Sequence, residues 1–339
     1  MSFIRIDKEA LCKNLTLISK KAPLDKIYVV LKDNAYGHGL ELVADLCVSN
    51  GVKHAVVRDA KEANLIASKF ESVLVLAENI DFIAPSNVHF AINSLDVIQK
   101  IPQNTNVQLK VDSGMHRNGV ATNELETALS SIVAAKLQLK GVFSHLRSAD
   151  ELSSESFWQE KNFKAIKKRV IEFCSANAIK TPIFHLQNSA GLFRSGTLGE
   201  FDMARVGIAL YGYMRMPSSF AKESLSPVLS LWAEKLSGRS VSSGQAVGYG
   251  AVGKVQKDTT VSVYDVGYAD GFLRVKTKDD YIFPNGAKLL GRVSMDNICV
   301  TSMDEQICVF DNAEAFADRY GTISYEILVR LNPNIKRVA

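Results

Sequence analysis

The chain has 339 residues, 47% of them hydrophobic and 22% charged, with a formal net charge of +4. That length exceeds what one hydrophobic core usually fills, so two domains are expected, and the composition excludes a disordered chain. The small net charge, with no basic tail, argues against nucleic-acid binding, and the Lys167-Lys168-Arg169 cluster falls in a helical pattern as a solvated face.

The opening residues Met1 to Lys8 are charged from Arg5 onward and carry no apolar core of the signal-peptide kind, and no apolar run is long enough to span a bilayer. Cys12, Cys47, Cys174, Cys299 and Cys308 are odd in number, form no Cys-x-x-Cys pair and sit among apolar neighbours. They read as free thiols in a reducing compartment rather than as disulfides or metal ligands. A cytoplasmic enzyme without a metal, a membrane segment or a nucleic-acid partner is the expectation.

Short β-rich runs come first, at Ile27–Lys32, His54–Val57, Val73–Ala77, Val88–Ile92, Val107–Asp112, Leu139–His145, Pro182–Leu186 and Ala204–Leu210. Between them, Leu40–Val48, Lys61–Phe70, Leu125–Ala135 and Phe157–Phe173 carry apolar residues at helical spacing. Alternating β and α elements imply a parallel sheet, and eight such units imply a closed (β/α)8 barrel; an open doubly wound sheet is the alternative. After Pro227 the pattern changes to short alternating runs at Leu229–Leu236, Thr260–Tyr264, Lys288–Val293 and Ile298–Ser302, broken by turns such as Pro284-Asn285-Gly286. This is the mark of an antiparallel β-domain, closed by helical stretches at Glu314–Arg319 and Ser324–Leu331. The expected division is a barrel over 1–226 and a β-domain over 227–339, with the first few residues packing as a strand on the second domain.

Catalytic residues of a (β/α)8 barrel lie at the C-terminal ends of its strands. Here those ends carry Lys32, then Lys110 and Asp112, His145, His185 and Arg205. Each alone could be structural. Ionisable groups from five strands at one mouth are hard to explain as packing, because buried charge is costly unless paired. After the seventh and eighth strands, Asn188-Ser189-Ala190-Gly191 and Gly207-Ile208 offer small residues, backbone N–H groups and a hydroxyl where such barrels commonly bind phosphate.

Val29-Val30-Leu31-Lys32-Asp33-Asn34-Ala35-Tyr36-Gly37-His38-Gly39 resembles the cofactor-lysine motif of the alanine racemase family. Lys110 to Gly119, His185 to Ser189, Arg205-Val206-Gly207-Ile208, Val247-Gly248-Tyr249-Gly250, Gly267 to Gly271 and Gly291 to Asp296 resemble further blocks of that family, in its order and over nearly the whole chain. The resemblance implies a pyridoxal 5'-phosphate enzyme that interconverts L-alanine and D-alanine, supplies D-alanine for peptidoglycan, and works as a homodimer with shared active sites.

By that resemblance Lys32 holds the cofactor covalently and serves as one acid–base group, while Tyr249 of the second subunit serves the opposite face. Tyr36, Asn188, Ser189, Gly207 and Ile208 are implied around the cofactor phosphate. Arg205 is implied at the pyridine nitrogen, with His145 linking it to Tyr249 and His185 supporting it. An arginine there can only donate, so it disfavours a protonated ring, which suits racemisation over transamination. Arg117, Tyr268, Met295 and Asp296 are implied at the substrate, and Lys110 as a carbamylated lysine holding Arg117. Asp33, Asn118 and the Leu331–Arg337 segment depart from the family pattern and leave the entrance and the finer substrate preference open. The alternatives are a racemase of broader specificity, a decarboxylase on the same barrel, and a non-catalytic pyridoxal-phosphate-binding protein.

Overall fold

The computed structural model describes residues 1–77, 85–220, 223–274 and 281–339. The chain divides into two compact units, one of Leu11–Ala35 and Leu40–Ser226, the other of Met1–Ala10, Tyr36–Gly39 and Pro227–Ala339. Among the described residues no helix is long and apolar enough to cross a membrane.

The first strand, β1 (Phe3–Ile6), belongs to the unit that holds the C-terminal residues. The next eight are β2 (Ile27–Val30), β3 (His54–Val57), β4 (Ser72–Val75), β5 (Val88–Ile92), β6 (Asn106–Lys110), β7 (Gln138–Phe143), β8 (Ile183–His185) and β9 (Ala204–Val206). They form one parallel sheet in the order β8-β7-β6-β5-β4-β3-β2-β9. Met203, next to β9, makes a parallel bridge to His185 of β8, so the ring of strands is nearly closed. The four residues of β2 and the four of β4 are all buried, as expected of strands covered on both faces. The helix Glu155–Ala176 turns Phe163, Ile166, Val170 and Cys174 inward at intervals of three or four, into a core shared with Leu125, Leu129 and Ile132 of the helix Leu125–Ala134.

The expected strand Ala204–Leu210 is shorter in the structure. It stops at Val206, and Ile208–Tyr211 forms a 3-10 turn after Gly207. The loop after β6 is tightly determined: Val120 N donates to Lys110 O at 2.9 Å and Asp112 N to Val120 O at 3.0 Å, so residues 113–119 form a closed excursion carrying Arg117.

The other unit is built on β10 (Leu229–Val241), a 13-residue strand. Its first half pairs antiparallel with β1, and its second half with a later strand, Thr259–Tyr264. In chain order the remaining strands are β11 (Ala246–Val247), β12 (Gly253–Lys254), β13 (Thr259–Tyr264), β14 (Leu289–Leu290), β15 (Ile298–Val300), β16 (Gln306–Phe310) and β17 (Lys336–Val338). The main sheet runs β14-β15-β13-β10-β1-β17, with β16 also on β10, and among the described residues only β1 and β17 of this sheet pair in parallel. Phe272, Tyr281, Phe283 and Phe316 meet edge to face in the core of this unit.

Candidate active site

Lys32 lies two residues past the end of β2, at the start of an unusual segment. Asp33, Asn34, Ala35 and Tyr36 have φ of 56°, 56°, 51° and 52°, a left-handed turn made without glycine. Each such residue costs about 1–2 kcal/mol, so the turn must be held from outside. Ala35 N donates to Leu31 O at 2.8 Å, Asn34 N to Glu62 Oε1 at 2.8 Å, and Leu40 N to Asn34 Oδ1 at 2.8 Å. Asp33, one of the departures, pairs with Arg58 at 2.8 Å. The lysine is thereby fixed at its backbone.

Lys32, Lys110, Arg117 and Arg205 gather at the C-terminal ends of the barrel strands, close enough to act on one another electrostatically. Burial, then the charges of Arg117, Arg205 and Lys32, bring Lys110 down to about 8. Burial followed by the same cations lowers His145 to about 3, so it is neutral at physiological pH. Asp112 is the carboxylate beside Lys110. Burial opposes its ionisation, yet its Oδ1 accepts from the N–H groups of Gly114, Met115 and His116 at 2.8, 2.9 and 3.1 Å, and its pKa is lowered.

Arg205 is 5% exposed. Its Nη1 donates to His185 Nδ1 at 2.7 Å and to His185 O at 3.0 Å. Its Nη2 reaches Ser144 O at 2.5 Å, Leu186 O at 3.1 Å and His145 Nδ1 at 3.3 Å. Burial draws the guanidinium down to about 10, which leaves it protonated at neutral pH. Every acceptor around it is uncharged, and its Nε makes no hydrogen bond among the described residues. A buried cation without a counter-ion is costly, which marks Arg205 as a candidate for contact with a ligand.

Ser189 Oγ accepts from Gly207 N at 3.0 Å and Ala209 N at 3.4 Å, tying the start of one short helix to the turn after β9. Asn188 caps that helix: its Oδ1 accepts from Gly191 N at 2.9 Å and its Nδ2 donates to Leu146 O at 3.2 Å. Ile208, in the turn after β9, is buried.

These barrel residues suit a phosphate-bearing pyridine aldehyde on their own chemistry. They offer a lysine for covalent attachment, concentrated positive charge for an anion, and one unused guanidinium donor for a neutral ring nitrogen.

Tyr36, Tyr249, Tyr268, Met295 and Asp296 fall in the other unit. Tyr36 is buried against the Tyr325 ring, 5.9 Å away. Tyr249, Tyr268 and Met295 are 62%, 40% and 54% exposed, a high value for large side chains, and Asp296 is exposed beside them. The Arg274 guanidinium lies 5.7 Å from the Tyr249 ring and 5.8 Å from the Tyr268 ring. Ala269 N donates to Met295 O at 3.0 Å, which ties the Tyr268 turn to the Met295 loop.

Gln108, Tyr28 and Ser72 escaped the sequence reading. They are buried polar residues on β6, β2 and β4, connected to His185 by hydrogen bonds. The signal was a glutamine two residues before Lys110, on the same face of the strand.

The family model for the N-terminal domain of alanine racemase matches residues 6–215, and that for the C-terminal domain matches residues 228–339. An alanine racemase of Nitratiruptor sp. is 44% identical over 338 residues, covering 99% of this chain and 99% of the relative. The solved alanine racemase of Bacillus anthracis, with bound L-Ala-P, superposes with a TM-score of 0.86 at 26% identity, over 99% of this chain and 94% of that one. That of Bartonella henselae, with covalently bound pyridoxal phosphate, gives 0.80 at 26% identity, over 99% of both chains.

Proposed function

The chain belongs to the alanine racemase family, and from that premise we propose that it interconverts L-alanine and D-alanine with pyridoxal 5'-phosphate held covalently at Lys32. The observation that carries this reading is Arg205, a buried guanidinium surrounded by neutral acceptors with its Nε uncommitted. The bound cofactor supplies an electron sink that acidifies the Cα–H bond of the amino acid. Everything else falls to the chain's own side chains.

Lys32 exchanges a proton with Cα on one face, and Tyr249 of a second copy does so on the other, as inversion requires. Arg205 donates to the ring nitrogen and keeps a proton off it, which limits electron withdrawal and favours prompt return of the Cα proton. Ser189, the backbone of Gly207 and Ile208, Asn188 and the Tyr36 hydroxyl hold the phosphate. His145, neutral and within reach of Arg205, links Arg205 to Tyr249. Arg117 meets the substrate carboxylate, and a carbamate on Lys110 would convert a repelling cation into an anion that holds Arg117 in place. Tyr268, Met295 and Asp296 of the second copy complete the substrate site.

The homodimer is part of this proposal. Its support is the exposure of Tyr249, Tyr268 and Met295 together on the unit that holds the C-terminal residues. We place the domain boundary between residues 226 and 227; in support, one compact unit ends at Ser226 and the other resumes at Pro227. The five unpaired cysteines suit a reducing cytoplasm, where the D-alanine made would enter cell-wall synthesis.

A substrate panel of alanine, serine and lysine, followed by chiral chromatography, tests the reading. Alanine turned over well ahead of the other two supports it. Equal rates for all three would point to a broad-specificity racemase, and no inversion of any would end the proposal.

A further inference from the structure

Four of the six histidines, His54, His89, His145 and His185, belong to one hydrogen-bonded network through the barrel interior, which makes the network more than incidental packing. Its members other than Arg205 and His145 do not enter the proposed chemistry. From Arg205 it passes to His185 Nδ1 at 2.7 Å, and from His185 Nε2 to Gln108 Oε1 at 2.7 Å. Gln108 Nε2 then meets Tyr28 Oη at 3.0 Å and His89 Nδ1 at 3.0 Å. Tyr28 Oη lies 3.1 Å from Ser72 Oγ, and Ser72 Oγ lies 2.8 Å from His54 Nδ1. Gln108 and His185 are both fully buried.

The proton positions follow from one fact, that a guanidinium can only donate. His185 Nδ1 must therefore accept, so its ring is neutral and its proton sits on Nε2. That Nε2–H needs an acceptor, which fixes the Gln108 amide with Oε1 toward His185. The flipped amide would ask both nitrogens of one imidazole to accept, which a neutral ring cannot do. Gln108 Nε2 is then the donor to both Tyr28 and His89, and the Tyr28 proton is left for Ser72. Donation runs one way, from Arg205 to Ser72.

The backbone is built around this arrangement. Gly141 of β7 is the register partner of Gln108, and a Cβ at Gly141 would lie 2.8 Å from Gln108 Oε1 and 2.9 Å from its Cδ. A glycine inside a strand weakens it, and here it clears the space that the amide fills. Phe143 stacks on the His185 ring at 5.0 Å and 5°, which sets the plane of the imidazole.

We propose that Gln108 is a positioning residue for Arg205: by accepting the Nε2 proton of His185 it locks that ring in the one tautomer whose Nδ1 can receive Arg205. Without that acceptor His185 can carry its proton on Nδ1, where it opposes Arg205 Nη1 and displaces the guanidinium. The consequence for catalysis rests on the role given to Arg205 above; the tautomer does not.

The test uses the full chain loaded with pyridoxal phosphate, with 15N-labelled histidine, as wild type, Gln108→Met and Gln108→Glu. Proton–nitrogen spectra of the imidazoles report the tautomer directly. The wild type is expected to show His185 protonated at Nε2 alone. Gln108→Met, which keeps the shape and removes the acceptor, is expected to mix the tautomers and lower kcat at least about 10-fold, with little change in KM. Gln108→Glu keeps the acceptor and is expected to restore the Nε2–H tautomer. A wild-type His185 protonated at Nδ1, or a Gln108→Met protein with unchanged tautomer and kcat, overturns the proposal. Should Gln108→Glu fail to fold, the other two proteins decide. A wild type with the expected tautomer and no racemase activity would uphold this inference and sink the functional reading instead.

Discussion

Arg205 and His185 meet with Nη1 2.7 Å from Nδ1, and the pair is closed to solvent, at 5% and 0% exposure. Burial, followed by the charge of Arg205, holds His185 well below its ordinary pKa, so the neighbour of the guanidinium is a neutral base and not a counter-ion. The charge of Arg205 thus meets no counter-ion among its hydrogen-bond partners.

Lysine in place of Arg205 would keep the charge and lose the fork. A single ammonium cannot reach His185, Ser144 and Leu186 together, so acceptors are left unpaired in the barrel. Arg205→Lys is expected to lower stability by about 1–3 kcal/mol in urea unfolding. It should also reduce kcat/KM for alanine by about 100-fold, through misplacement of the charge. Wild-type stability and turnover in this variant would show that the fork has no role.

Tyr249 offers the cleanest separation of chemistry from folding, because its side chain is 62% exposed. Tyr249→Phe should leave stability within about 0.5 kcal/mol. The same change should lower kcat by about 100- to 10,000-fold, with bound cofactor retained by absorbance. Unchanged kcat would remove the hydroxyl from its assigned role.

Lys110 should reveal its state through pH. As a free amine it titrates near 8 when folded and near 10.5 when unfolded, because burial and then Arg117, Arg205 and Lys32 disfavour its charge. The unfolded chain then binds more protons between these values, so the stability of the wild type relative to Lys110→Met rises as pH climbs from about 8 to 10.5. A carbamate removes that titration. Added 13C-bicarbonate is therefore expected to flatten the pH dependence and to give a carbamate carbon signal that is absent in Lys110→Met.

Gly37 follows the left-handed turn at φ 78°, and a Cβ there would come within 2.1 Å of Leu328 O. Gly51 has a similar φ of 90° with nothing within 4 Å, so it isolates the cost of backbone conformation. Gly51→Ala is expected to lose about 1 kcal/mol, and Gly37→Ala distinctly more, by chemical denaturation. Equal losses would mean that the Leu328 backbone yields freely.

The barrel was legible because most of its strands are short runs rich in β-branched or aromatic residues, and His54–Val57 and Val88–Ile92 agree with the expected limits. The ionisable groups at the barrel mouth were legible through the strand-end rule. The strand expected to reach Lys32 stops at Val30, and nothing in Ala35 or Tyr36 announces the left-handed turn that follows; that conformation is held by Glu62, Leu31 and Leu40. The strand expected to reach Leu210 stops at Val206 because Gly207, with φ −110° and ψ −94°, leaves the extended conformation. Gln108 was passed over for a different reason. A polar residue within a strand ordinarily faces water, and only the near-closure of the ring turns this one inward.

The most direct test is incubation of the cofactor-loaded protein with L-alanine in deuterated water, followed by NMR and chiral separation. The account predicts D-alanine and L-alanine in near-equal amounts at equilibrium, with deuterium at Cα in both. Release of carbon dioxide, or L-alanine recovered with its Cα proton intact, would contradict it.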